Sequence, residues 1–134
     1  MSMRALAAAL GLLALVAGAA AAQPALHCNA PQKPWVVAEL LFGRTGVSDA
    51  SWRRFLAAEI TPRFPDGLTA FDARGQWRNP STNAILRQRS TVVMIAIPPS
   101  ADNDARLRQI IEAYKARFRQ KSVGLIMRPA CVSF

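Results

Sequence analysis

The chain of 134 residues carries 17 Lys and Arg against 8 Asp and Glu, a formal charge of +9, with 51% hydrophobic residues. That length supports a single domain. One histidine, His27, and two cysteines outside any C-x-x-C leave no metal or redox constellation, so neither a metal nor a cofactor is expected.

Met1 to Arg4 make a short positive start, and Ala5 to Ala19 form an apolar run ahead of Ala20-Ala21-Ala22. This is the pattern of a secretory signal, and the run is shorter than the roughly 20 apolar residues of a spanning helix. Residues 1–22 are therefore read as a signal peptide cleaved after Ala22, giving a periplasmic or secreted product without stable membrane insertion. His27, not a small residue, precedes Cys28, which disfavours lipid attachment there. Cys28 and Cys131 then sit in an oxidising compartment, and a disulfide between them is expected in preference to two free thiols.

Residues 23–34, rich in proline, read as an extended leader, and residues 35–134 as the domain. Trp35 to Phe42 is almost continuously apolar, as in a central strand buried on both faces. Ser48 is placed to cap a helix whose stripe is Trp52, Phe55, Leu56 and Ile60, ending before Pro62. Pro62 to Gly67 is turn chemistry. Leu68 to Arg78 predicts a second strand with a bulge at Gly75, Asn79 to Asn83 a hairpin loop, and Ile85 to Ile97 a third, central strand. Asp102 or Asp104 caps a second helix with the stripe Leu107, Ile110, Ile111, Tyr114 and Phe118, and Ser122 to Met127 forms a short last strand. The order β-α-β-β-α-β predicts an α+β, ferredoxin-like sandwich: an antiparallel sheet with two helices on one face. In that topology the last strand lies beside the first, which brings Cys28 and Cys131 together.

Several strings resemble a known family: Phe42-Gly43-Arg44, Val47-Ser48-Asp49-Ala50 before Trp52, Thr61-Pro62-Arg63-Phe64-Pro65-Asp66-Gly67-Leu68-Thr69, Gly75-Gln76-Trp77, Tyr114-Lys115 and Val132-Ser133-Phe134. Together they resemble the secreted bacterial proteins grouped as domain of unknown function 3574, over roughly Val37 to Phe134. The resemblance implies export and one compact domain, and no particular activity. At Lys121 the chain departs from the family pattern, which carries an acid before Ser122.

Most of the basic residues are arginine, whose planar fork suits carboxylate and phosphate. A small anion, an anionic lipid or a glycan is the expected partner, set against a charge that serves only solubility. If Asn79 to Ala84 forms the turn, Arg74, Gln76, Arg78, Arg87 and Arg89 share one face of the hairpin, with Arg74 opposite Arg89. An anion, Asp66, Asp72 or solvent would then offset the repulsion. Glu59 lies on the first helical stripe and is expected either to pair with Arg63 or Arg44 or to form, with both, a small cleft at the end of the first strand. The third strand lacks the K/R-G-F/Y-G/A-F-V-x-F/Y run, so nucleic acid is not an expected partner.

The functional expectation is a non-enzymatic binding module for an anionic ligand or envelope component, with Arg44, Glu59, Arg63, Arg74, Arg87 and Arg89 as its candidate residues. Dimerisation through the open sheet face accompanies it. The alternative is a small cofactor-independent enzyme of monooxygenase-like ferredoxin fold with a pocket near Glu59. No catalytic residue is assigned.

Overall fold

The computed structural model describes residues 26–134, and the expected signal peptide with its cleavage site lies outside them. Four antiparallel strands, β1 (Lys33–Gly43), β2 (Thr69–Arg78), β3 (Ile85–Ile97) and β4 (Gly124–Val132), pair in the order β2-β3-β1-β4. With helices α1 (Asp49–Phe55) and α2 (Ala101–Phe118), this is the ferredoxin-like arrangement, β1 and β3 at its centre. β1 starts at Lys33, inside the expected leader.

Burial along the central strands alternates. Ala38, Leu40, Phe42, Val93 and Ile95 are buried under the helices, while Leu41, between them, is exposed. The expectation that both faces of the central strands are covered is therefore corrected. The helices lie on one face, and the apolar residues of the other have no cover among the described residues.

Ser48 caps α1, its Oγ accepting the Ser51 N–H at 3.2 Å. The helix does not run on as α to Pro62. After Phe55 it widens into a π turn, Leu56–Ile60, in which the Thr61 N–H donates to the Leu56 carbonyl at 2.9 Å. Phe42, Trp52, Phe55, Tyr114 and Phe118 pack as one aromatic cluster between sheet and helices, with Phe42 and Tyr114 edge-to-face at 4.7 Å.

The cap of α2 is Ser100, whose Oγ accepts the Asn103 N–H at 3.1 Å, and not Asp102 or Asp104. Those two acids occupy the first turn, where they favour the helix dipole. Gly75 forms no bulge: the β2–β3 register is unbroken from Thr69 opposite Met94 to Arg78 opposite Ile85. Glycine suits this position because a Cβ would come within 2.8 Å of the Ser90 Oγ.

β4 runs to Val132, five residues past the expected end at Met127, and takes in Pro129 and Cys131. Proline is tolerated because β4 is an edge strand with one side unpaired. Cys131, expected outside the regular elements, thus stands in β4 opposite Pro34 and bonds to Cys28, with Cα atoms 5.5 Å apart. No described helix is long and apolar enough to cross a membrane.

Candidate functional site

β2 meets β3 only as far as Thr69 opposite Met94, while β3 continues to Ile97. Beyond that point the β3 edge has no strand on the β2 side, and the chain from Thr61 to Leu68 curls across the gap. Phe64, 5% exposed, anchors that loop in the core, and Gly67 closes it at φ +150°, where a side chain would be strained. The result is a cavity of about 570 Å³ walled by Trp35, Phe64, Leu68, Ile97 and Phe134, with Arg63, Asp66, Asn103 and Arg106 as its charged and amide groups.

The two arginines differ in how they are held. Arg63 donates through Nη1 to the Glu59 carboxylate at 2.9 Å and the Glu59 carbonyl at 2.7 Å, and through Nε to Gln109 at 3.3 Å. Arg106 donates to the Arg63 carbonyl at 3.4 Å, and no carboxylate among the described residues pairs with it. A concave apolar site with a few convergent polar groups is the common form of a small-ligand pocket.

Arg44 lies at the opposite end of β1, so Arg44, Glu59 and Arg63 do not meet around one cleft. Arg44 is buried at 4% exposure and donates to Asp49 at 2.7 Å, to Thr91 Oγ1 at 3.0 Å and to the Val47 carbonyl at 3.4 Å. Its guanidinium lies 5.3 Å from the Trp52 ring centroid, and its Nε has no partner. Beside it, Tyr114 donates to the Gly43 carbonyl at 2.7 Å; burial pushes its phenol up to about 12, opposed by the Arg44 charge. These contacts fasten the end of β1 to α1, β3 and α2.

Asp49 also accepts from Arg89 at 2.9 Å, and this bond, followed by that from Arg44, holds its carboxyl below the usual aspartate value. A depressed folded pKa stabilises above the unfolded value, about 3.9, and the benefit disappears as pH falls through the folded one. Asp49→Asn should therefore be less stable than the parent at neutral pH and closer to it in acid, as read by urea midpoints across pH. A constant difference at every pH would reject this role.

The hairpin register is the expected one, with Arg74 opposite Arg89, Gln76 opposite Arg87 and Arg78 opposite Ile85. Asn79 closes the turn by donating to the Ala84 carbonyl at 2.9 Å. Arg74, Arg87 and Arg89 border a shallow depression. Arg89 is offset by Asp49 at 2.9 Å and Asp72 at 4.0 Å, whereas Asp66 sits in the cavity at the other end of the sheet. Sequence reasoning missed Asp49 and Arg106. Arg106 sits one residue before the α2 stripe and carried no signal that distinguished it from the other exposed arginines of that helix.

A ferredoxin-like domain with an arginine-lined apolar cavity is the class that fold and site define. The chain matches the family described as "Protein of unknown function (DUF3574)" over residues 38–134 and belongs to it. No curated protein matches. Among solved structures it is similar in fold to a phage SAM lyase in complex with S-methyl-5'-thioadenosine, at 11% identity and TM-score 0.58, covering 75% of this chain and 90% of that one. The same description, phage SAM lyase, in its apo state matches at 14% identity and TM-score 0.54, covering 75% and 86%.

Proposed function

We propose that this domain is an exported, non-enzymatic binding module for a small anion with an apolar body. The observation that carries the reading is the cavity, which sets apolar walls beside Arg106, a cation that forms no ion pair with a described carboxylate. The apolar body lies against Trp35, Phe64 and Phe134, and the anionic group takes the Arg106 fork with Arg63 beside it. Fatty acids and aryl phosphates have this chemistry, and a lipid or glycan fragment of the cell envelope would supply it in the periplasm or outside the cell. The ionised ligand matters because arginine stays charged at any working pH.

Calorimetric titration with octanoate and phenyl phosphate tests the reading. Arg106→Ala should weaken binding about tenfold or more, and Arg87→Ala, at the far end of the sheet, should leave it unchanged. Equal losses in both variants, or no binding of either probe, would reject the cavity as the site.

A catalytic reading draws on the fold likeness to the phage SAM lyase, an analogy of fold only. Glu59, its candidate, is tied to Arg63 and does not line the cavity, and His27 is the sole histidine of the chain. Release of S-methyl-5'-thioadenosine from S-adenosylmethionine by the purified protein would favour this reading over the first.

A further inference from the structure

The sheet face opposite the helices is built from alternate residues of all four strands. Across its middle, Phe71, Val92 and Leu41 stand in one row and Met94, Glu39 and Ile126 in the next. Phe71 and Ile126 are each 48% exposed, on a domain whose helix-side core is sealed. Monomeric proteins seldom leave so broad an apolar patch in water. The only described ion pair on this face joins Arg128 to Glu39 at 2.9 Å, so the face is close to neutral on a strongly basic chain.

We propose that this face is the interface of a two-fold homodimer, with a second copy of the chain as its occupant. Four strands at about 4.8 Å spacing and about ten residues long present roughly 600 Å² per copy. Two copies then bury on the order of 1,200 Å², the lower bound for a specific interface. The charges fit a self-complementary contact. A neighbouring acid and base meet their own opposites under two-fold rotation, whereas a large basic or acidic partner finds no charge here to match. Pairing through the β4 edge is opposed by Pro129, which removes a donor from that strand.

The same face reaches the cavity. Trp35, Thr69, Met94 and Ala96 follow the alternation of the open face and line the cavity as well, so a copy seated on the sheet would roof its open side. The dimer does not depend on the binding proposal, since its evidence is the exposed face itself.

Sedimentation equilibrium of the oxidised protein, expressed with its own N-terminal segment, tests the proposal at micromolar concentrations. The expected result is twice the mass of one chain, with Phe71→Lys and Ile126→Lys each raising the dissociation constant about a hundredfold at unchanged circular dichroism. Swapping the pair, Glu39→Arg with Arg128→Glu, should retain the dimer that either single change weakens. A monomer, any other assembly number, or a dimer unaffected by all of these changes would overturn the proposal. So would a monomer that binds phosphatidylglycerol vesicles through Phe71. If a lysine variant fails to fold, disulfide cross-linking of Val92→Cys, a smaller change near the centre of the face, decides the same question: a covalent dimer supports the proposal and its absence overturns it.

Discussion

Arg44→Ala lowers the unfolding free energy by about 3 kcal/mol, and Arg44→Met recovers most of that loss. The alanine variant removes a long buried side chain and leaves a cavity against Trp52, and large-to-small changes of this kind cost about 2–5 kcal/mol. Methionine fills much of the space without a charge to desolvate. Replacing a buried ion by an apolar residue of similar size is often neutral or stabilising. Asp49, freed of Arg44, keeps Arg89 and its contact with water. Urea unfolding of the three proteins separates packing from charge. Equal losses for alanine and methionine would show that the cation itself is needed at this junction.

Cys28→Ser together with Cys131→Ser lowers stability by a comparable amount, about 2–5 kcal/mol. The bridge spans 103 residues, so its loss returns nearly the whole described chain to an unrestricted unfolded ensemble. It also ties the segment before β1 to the edge strand β4, which has only β1 as its strand partner. Guanidinium midpoints of the parent with and without reductant, beside the double-serine variant, measure the effect. The reduced parent and the variant should coincide. A reduced parent as stable as the oxidised one would remove the bridge from the account of stability.

Much of the architecture was legible in the residues themselves. The β-α-β-β-α-β order, the central places of β1 and β3, the hairpin register and the Cys28–Cys131 bond all followed from periodicity, turn chemistry and strand adjacency. The errors have physical causes. Val37, Leu41, Val92 and Met94 read as doubly covered because an apolar run does not say what covers it. Gly75 read as a bulge because close approach to Ser90 leaves no local trace in sequence. The end of β4 was missed because Pro129 stops an interior strand but not an edge.

The candidate site was less legible. Glu59 was expected to pair with Arg63 or Arg44 or to form a cleft with both, and the structure pairs it with Arg63, four residues on. Arg106 reaches the same cavity from α2 through long-range packing, which no local pattern encodes. Arg44 was offered as an alternative partner of Glu59, or as a third member of a cleft with Glu59 and Arg63 at the end of the first strand. The structure pairs Glu59 with Arg63 and Arg44 with Asp49 instead.

The π turn at Leu56–Ile60 has a bearing on how this cavity could vary. A wide turn holds one residue more than an α turn over the same arc, so it works as a spacer. Were the turn to close as α with that residue still in place, everything after it would rotate by about 100°. Ile60 and Phe64, both now buried, would swing off the core, and Arg63 would leave its place beside Arg106. The aim of the loop, and with it the shape of the cavity, is thus set by how one turn is wound in a helix that contributes none of the described cavity wall.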